Sequence, residues 1–551
     1  MLQLTQRAHR SALAGPTVAL IVCSIMATYP YFVVSPSTVL SLIGVLRGPD
    51  RTRPTPAEDW RDAKVDVIIP ALNEANNIVP CLASVLRQTL KPRRIMLIDD
   101  GSSDATVERA KAFCGMHDVE FTAIQRQKPI GKTPTIKRQA RELDSDVEFI
   151  LDADTVLESD NYIERTVQEL YQAVGIASAF GTILPQRQRD RQRYAEQAAV
   201  RAFDAKHPNA APRESDGWFK NLRRGITNLY RETLYLFLQR FVYRGQLAFF
   251  GTTSNPVGCA VAYRRKYVKA LFDHISPILG DDLTNSEDIF IGFAMLNEGY
   301  RNIQLTDVYA RTVEPEAHRL PRQVYLWSSS FLQSCYYFDP LLRSPFKSFK
   351  RWQMRRHPAA ARPSAPVASP EYALAGAPML AVAGADMGLR VGHGQPMHRS
   401  SLAADRERRA DRADSRSGVG GRALDASGAG EDRRMVREPY RQAFGRERTE
   451  ANGRPAGWIL LISAVEKVCF PFALLVMMIF GWWEALAVTI AAETVVCMMA
   501  LALVMKGKRL EYALKAAAVT PIRYALIGTE VITIGRFASD LWITRNRSWR
   551  K

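Results

Sequence analysis

No Cys-x-x-Cys pair occurs in the chain, although it contains seven cysteines. Their odd number and scattered places, at Cys23, Cys81, Cys114, Cys259, Cys335, Cys469 and Cys497, argue against a disulfide framework and against a zinc site. They point instead to a reducing compartment around the soluble part. Zinc-finger, helix-turn-helix and RNP-like aromatic signatures are missing as well. The net charge of +18 and the isoelectric point near 9.6 are therefore read as basic linkers and loops held against an anionic membrane face, with no nucleic-acid partner expected. Residues 12–46 almost lack charge. Within them, 17–34 is long enough for one membrane span, interrupted by Pro30 and Pro36, and 38–46 either continues that span or re-enters. A cleaved signal peptide fits less well, because the apolar stretch is too long and no small-x-small site precedes a polar start. Residues 357–456 have few aromatics, no repeat and no catalytic motif and are rich in Ala, Arg, Gly, Ser, Pro and Asp, the composition of a disordered linker. Loop-closure cost grows slowly with length, so such an insertion need not destabilise a fold.

The average composition, 47% hydrophobic with a mean hydropathy of −0.15, hides a split between lipid-like ends and a soluble middle. A chain of 551 residues has room for about two to four domains. After the linker, residues 458–483 and 485–505 form two candidate spans with Gly481-Trp-Trp-Glu484 at the break. Glu466 and Lys467 lie near the start of the first. Basic residues before the pair, and Lys506-Gly-Lys-Arg509 after it, place both flanks on the cytoplasmic side, which makes a hairpin. Residues 522–543 are amphipathic with Arg536 and Asp540. They read as interfacial, with a further span as the alternative, and a basic tail follows at 545–551.

Between the ends, residues 48–62 are a Pro-rich polar linker, and then strand and helix patterns alternate at short spacing. Val65-Asp-Val-Ile-Ile-Pro70 reads as a strand, 76–87 as a helix, Arg94-Ile-Met-Leu-Ile98 as a strand. Residues 105–113 read as a helix with Asp104 as its N-cap, 119–124 as a strand, and 135–143 as a helix. Phe149-Ile-Leu-Asp-Ala-Asp154 ends a further strand with two carboxylates one residue apart, on one side of it. That pair suits Mg²⁺ or Mn²⁺ bridging to a diphosphate. The alternation predicts a parallel, doubly wound α/β sheet. Ligands of such sheets bind at the carboxyl ends of the strands. Asn73-Glu74, Asp99-Asp100 and Asp152/Asp154 should therefore meet in one crevice. Strands are also expected at 175–184, before Arg264-Arg265 and at 303–309, with a helical excursion at 222–249.

Val67-Ile-Ile-Pro-Ala-Leu-Asn-Glu74, Ile98-Asp-Asp-Gly-Ser-Ser-Asp-Ala-Thr106 and Leu151-Asp-Ala-Asp154 together resemble the nucleotide-sugar half of a family 2 glycosyltransferase with a GT-A, Rossmann-like fold. The resemblance covers residues 65–327, about half the chain. It implies a nucleotide-diphosphate sugar donor, a UDP-sugar first, bound through Glu74, Asp99, Asp100, Lys132 and Asp152, with Mg²⁺ or Mn²⁺ on Asp152 and Asp154. Lys132 is equally explicable as a solvated loop lysine.

Gly280-Asp-Asp-Leu-Thr-Asn-Ser-Glu-Asp288 holds four acids in eight residues, from Asp281 to Asp288. An inverting transfer needs one carboxylate to deprotonate the acceptor hydroxyl. Asp282 stands in a run like that of hyaluronan-type synthases, Asp288 in one like the Thr-Glu-Asp of cellulose-type synthases. In both relatives a helix and a Gly-aromatic pair follow, here Gly299-Tyr300. Asp288 lies 11 residues before Gly299, as in the resembled pattern, and Asp282 lies 17 before it. Asp288 is therefore the expected base, with Glu287 as a supporting acid. The resembled processive enzymes carry Gln-x-x-Arg-Trp next. This chain keeps Gln323 and Trp327 on the acceptor side but has Leu326 where the diphosphate-contacting arginine is expected. His318, Arg319 and Arg322 are the nearby candidates to replace it.

The layout expected is an N-terminal transmembrane segment (1–48), a linker (49–64) and the glycosyltransferase domain (65–327). An interfacial helix (328–356), the low-complexity linker (357–456), the hairpin (457–506) and the C-terminal segment (507–551) follow. The resemblance implies inverting transfer to a growing polysaccharide at the cytoplasmic face of the cell's inner membrane, in contact with membrane lipid and with envelope or secretion partner subunits. The alternatives are a single-sugar transferase acting on a lipid or polyprenyl-phosphate acceptor, and an inactive scaffold subunit of an envelope assembly.

Overall fold

The computed structural model describes residues 35–47, 59–172, 175–207, 217–279, 286–298, 300–338, 341–342 and 456–544. The expected span at 17–34, most of the linkers at 49–64 and 357–456, the stretch 343–356, Asp281, Asp282 and Gly299 lie outside them.

Four strands, β1 (Val65–Ala71), β2 (Arg94–Asp99), β3 (Phe121–Gln125) and β4 (Val147–Leu151), pair in parallel in the order β3-β2-β1-β4. They are linked by α2 (Ile78–Leu86), α3 (Thr106–Cys114) and α4 (Lys132–Glu142), while a helix α1 (Pro36–Arg47) precedes them. The aliphatic runs are continuous because both sheet faces are covered. Val67 and Ile69 face one core with α2 and α3; Ile68, Met96 and Ile150 face the other with α4. α3 begins one residue later than expected, so its N-cap is Ala105 and not Asp104, although the Asp104 carboxylate still accepts from the Thr106 N–H at 3.1 Å.

The sheet continues through β5 (Thr155–Leu157), β6 (Ile176–Pro185), β7 (Ala260–Arg264) and β8 (Arg301–Thr312), and its full order is β3-β2-β1-β4-β7-β6-β8-β5. α5 (Tyr162–Leu170) lies between β5 and β6. The sheet is mixed, where the alternation alone predicted a parallel one: β7 runs antiparallel to both β4 and β6. The reason is the excursion after β6. It consists of α6 (Gln188–Ala195), α7 (Ala198–Lys206), α8 (Trp218–Leu236), a π-helical turn at Phe237–Val242 and α9 (Tyr243–Phe250). The chain leaves and returns at the same sheet edge, so the next strand must run back. β8 is again parallel to β6. Its far end, with Val313 and Glu314, therefore reaches the edge where β1, β2 and β4 end.

Helices α10 (Arg265–Leu279) and α11 (Glu287–Glu298) complete the second core, and α12 (Leu320–Tyr337) follows β8. Among the described residues three helices are long and apolar enough to cross a membrane: α13 (Ala456–Ile479), α14 (Trp483–Val504) and α15 (Arg509–Trp542). Ile459 and Leu460 at the start of α13 are buried in the second core, which fastens the apolar helices to the sheet domain. α15 starts earlier than the 522–543 segment expected and runs unbroken through Pro521 for 34 residues. Lys467 of α13 reaches Glu530 of α15 at 2.9 Å, and Arg523 and Tyr524 of α15 both donate to Glu493 of α14. Paired charges of this kind are what apolar helix bundles tolerate. The N-terminal helix α1 is shorter. It packs on α9 where a Cβ added to Gly44 would stand 2.5 Å from the Gly245 Cα, so only glycine permits the approach.

Candidate active site

Strand geometry puts the acids at one edge. Glu74 follows β1, Asp99 and Asp100 close β2, Asp152 and Asp154 lie between β4 and β5, and Glu314 follows β8. Asp152, Glu74 and Glu314 are close enough to Asp154 that their charges raise its proton affinity. Burial and then Asp152, Glu74 and Glu314 push the Asp154 carboxyl well above the usual range. Glu74 is raised mainly by burial, with Asp152 and Asp104 adding to it. Asp154 is positioned by its backbone: its carbonyl accepts from Gln186 Nε2 at 3.1 Å, and its carboxylate accepts from Thr312 Oγ1 at 3.1 Å. Glu74 accepts from Asn77 Nδ2 at 2.7 Å.

Two cations flank the nest. Lys132 Nζ stands 2.6 Å from Asp152 Oδ1 and donates to the Gly258 carbonyl at 2.9 Å. It is placed by the loop before α4. There the Asp100 carboxylate accepts from the N–H groups of Ile130 and Gly131 at 2.8 Å each and from Arg126 Nη1 at 3.1 Å. Gly131 has φ +91°, a backbone state that side chains with a Cβ avoid. The adjacent Asp99 is different. It is fully buried, Oδ2 accepts from the Ser102 N–H at 3.1 Å, and Oδ1 has no protein donor. Neighbouring acids thus have separate tasks: Asp100 holds the lysine loop, and Asp99 keeps one acceptor oxygen unsatisfied.

The second cation is Arg231, from the middle of α8, and nothing in the sequence pattern signalled it. Its side chain is completely buried. It donates to Gln323 Oε1, lies 3.6 Å from Glu314 Oε2, and its guanidinium sits 4.1 Å from the centre of the Trp327 ring. The cation beside Gln323 and Trp327 is therefore Arg231; His318, Arg319 and Arg322, the neighbours suggested by sequence, are exposed. Burial raises Glu314, with Arg231 opposing the rise.

Asp288 lies in the first turn of α11. Oδ1 accepts from Ser286 Oγ at 2.7 Å and the Ile289 N–H at 2.8 Å, and Oδ2 accepts from the Gly258 N–H at 3.2 Å. Gly258 thereby joins Asp288 to Lys132 and, through it, to Asp152. Glu287 opens the same helix, and its side chain lies outside the described residues.

Among the described residues no group of three His, Cys, Asp or Glu side chains is arranged to hold a metal ion by itself. Mg²⁺ sites of nucleotide enzymes need only one or two carboxylates plus substrate phosphates. Asp152 and Asp154 supply those, and the like-charge crowding around Asp154 is what a divalent cation would relieve. The residues present fit such an ion.

Residues 66–272 match the family model described as "Glycosyl transferase family 2". The chain is 32% identical over 114 residues to the glycosyltransferase GlyA of Streptococcus pneumoniae serotype 4 (strain ATCC BAA-334 / TIGR4), covering 20% of this chain and 16% of that protein. It is 29% identical over 96 residues to the poly-beta-1,6-N-acetyl-D-glucosamine synthase of Staphylococcus epidermidis, covering 17% and 23%. The cholesterol galactosyltransferase of Borreliella burgdorferi (strain ATCC 35210 / DSM 4680 / CIP 102532 / B31) matches at 32% over 96 residues, covering 17% and 26%. The chain thus spans about a quarter or less of the length of these curated relatives. Among solved structures, the Pyrobaculum calidifontis mannosyltransferase with GDP-Man and Mn²⁺ aligns over 94% of this chain and 98% of its own at 14% identity, with a TM-score of 0.43, too loose a likeness to locate a substrate. Residues 66–272, which match the glycosyl transferase family 2 model, contribute to the mixed α/β sheet, and among the described residues three helices long and apolar enough for a membrane follow it.

Proposed function

We propose that the chain transfers a sugar, with inversion, from a nucleotide-diphosphate sugar to a growing polysaccharide at the cytoplasmic face of a membrane. The observation that carries this reading is the convergence of Glu74, Asp152, Asp154 and Glu314 at the carboxyl edge of the sheet, with Lys132 beside them and Asp288 joined to Lys132 through Gly258.

The base of the donor is held at the end of β2, where the unsatisfied Asp99 Oδ1 is an acceptor for a nucleobase N–H. Asp152 and Asp154 would hold Mg²⁺ or Mn²⁺, which supplies positive charge to the diphosphate leaving group. Lys132 adds a mobile point charge on the same side. Asp288 accepts the proton of the acceptor hydroxyl as its oxygen bonds to the anomeric carbon and the bond from that carbon to the phosphate oxygen breaks. Hydrogen bonds from Ile289, Gly258 and Ser286 keep that carboxylate oriented. Glu287 supports this end of the site, and Gln323 and Trp327 line the acceptor side.

Arg231 positions rather than reacts: it fixes Gln323 and Trp327 against Glu314, and its guanidinium covers one face of the Trp327 ring. A covered ring and Leu326 in place of an arginine favour a second reading, single transfer to a lipid acceptor, in keeping with the name of the sterol-glycosylating relative.

Membranes containing the full chain, offered a panel of nucleotide sugars with Mg²⁺ or Mn²⁺, test the proposal. Transfer from at least one donor, lost in Asp288→Asn, is expected. A wild type that neither hydrolyses nor transfers any donor, or an unimpaired variant, would refute it.

A further inference from the structure

The contacts that hold Asp154 continue along one face of α8 to the apolar helices. Gln186, just past the end of β6, is buried and joins three segments of chain. Its N–H donates to the Thr312 carbonyl at 2.8 Å. Its Nε2 donates to the Asp154 carbonyl at 3.1 Å and to the Arg311 carbonyl at 3.0 Å. Thr312 Oγ1 in turn donates to the Asp154 carboxylate at 3.1 Å. The backbone and the carboxylate of Asp154 are therefore both set by the strand ends that Gln186 ties together.

Helix α8 grips that tie. Asn228 Nδ2 donates to the Gln186 carbonyl at 3.1 Å, and Arg187, the next residue, donates to the Glu232 carboxylate. Asn228, Glu232 and Leu236 are spaced four apart, so they form one stripe along the helix. At Glu232 the stripe changes partner. The same carboxylate accepts from the Tyr512 hydroxyl at 2.8 Å, and Lys515 Nζ lies 3.5 Å from it. One turn on, Leu236 packs with Tyr512 and Ala516 of α15 and with Cys497 and Leu501 of α14. Glu232 is itself buried, and it touches both the segment after β6 and the start of α15.

Adhesion alone does not need such a residue. A buried carboxylate costs desolvation that its partners only roughly offset, and apolar side chains of the same volume hold two helices at least as well. What a buried charge with directed partners adds is register. A slide of α15 by one residue, about 1.5 Å, leaves an apolar contact such as Leu236 largely intact but breaks the Tyr512–Glu232 hydrogen bond.

We propose that Glu232 is a positioning residue for the donor site: it passes the seating of α15, through Arg187, Gln186 and Asn228, to the backbone that presents Asp154. The inference rests on the reading of Asp152 and Asp154 as the carboxylates that meet a divalent ion and a diphosphate. Nucleotide binding with Mn²⁺ then depends on how α15 is docked, while the nucleobase contact at Asp99 does not.

The test is calorimetric titration of UDP and of GDP into the full chain in nanodiscs, with Mn²⁺ and again with EDTA. Wild type is compared with Glu232→Gln, Tyr512→Phe, Gln186→Ala and the double variant Glu232→Gln/Gln186→Ala. Glu232→Gln keeps the size of the side chain and Tyr512→Phe removes a single hydroxyl, so both guard against misfolding. Each single variant is expected to weaken Mn²⁺-dependent binding about three- to tenfold and to leave binding in EDTA unchanged. In the Gln186→Ala background Glu232→Gln should add nothing further, because its effect travels through that residue. Full additivity of the two, equal weakening with and without Mn²⁺, or unaltered affinity in both Glu232→Gln and Tyr512→Phe would overturn the proposal and leave the reading of the donor site standing. A wild type whose nucleotide binding ignores Mn²⁺ would overturn both.

Discussion

Both edges of the sheet carry buried acids, and they are treated differently. At the amino edge, Asp66 is fully buried and saturated with cations: Arg93 Nε and Nη2 reach it at 2.9 and 2.7 Å, and Arg94 Nη2 at 3.1 Å. Asp144 joins the cluster through Arg93, whose hydrogen bonds hold its carboxyl down at about 2. At the carboxyl edge, among the described residues, Lys132 stands beside Asp152 and Arg231 beside Glu314, while Asp154 is crowded by Asp152, Glu74 and Glu314. An edge with matched charge is architecture. An edge with surplus negative charge, in the place where α/β sheets bind ligands, is prepared for a cation and what it carries.

That contrast can be broken in several places. The largest effect is expected at the reacting end. Asp288→Asn should lower transfer by about a hundred- to ten-thousandfold with donor binding retained, measured as initial rates and as nucleotide affinity. Arg231→Met comes next, and its effect is on stability. It strands Glu314 in a dry site, so unfolding free energy should fall by about 3–5 kcal/mol, and Glu314→Gln in the same chain should restore part of it. If Arg231→Met alone leaves the denaturation midpoint unchanged, the buried pair is not what fixes α8 to the end of β8. Lys132→Met should act the other way round, with transfer down about tenfold and the melting temperature little moved, because the lysine keeps 22% of its side chain exposed and acts on charge in the site. The smallest effect concerns pH. Glu148, near the amino end of β4, has both carboxylate oxygens buried without donors, and burial pushes its carboxyl up to about 8. The folded state therefore holds a proton that the unfolded chain releases near its ordinary value of 4.5. The stability contributed is full below about pH 4.5 and is lost as pH rises to about 8, on the order of a few kcal/mol at most. Glu148→Gln should flatten that slope; an unchanged pH profile of stability would show the carboxyl is not protonated in the fold.

Much of the carboxyl edge was legible in the sequence, because β-strands end where their aliphatic runs end. The acids of Glu74, Asp99-Asp100 and Asp152-Ala-Asp154 each follow such a run, so sheet topology alone brings them to one side. Asp288 was placed by its spacing to Gly299. What the sequence hid depends on distant pairing. Arg231 meets Gln323 across 92 residues, and one arginine among many on an amphipathic helix carries no mark of burial. Glu314, in a Glu-Pro-Glu run that follows no DxD-like pattern, carries no mark in the sequence, since its meaning comes from β8 running parallel to β6. The reversal of β7 was hidden for a similar reason: an antiparallel central strand has the same apolar composition as a parallel one. The unbroken course of α15 was obscured by Pro521, which breaks helices in water but is accommodated in apolar bundles.

The most direct test of the contrast between the edges is calorimetric titration of UDP and of GDP, each with Mn²⁺, into wild type, Asp154→Asn and Asp66→Asn. The carboxyl-edge account predicts metal-dependent binding of at least one nucleotide that weakens about tenfold or more in Asp154→Asn and stays near wild type in folded Asp66→Asn. Binding that ignores Mn²⁺, or that survives Asp154→Asn unchanged, would contradict it.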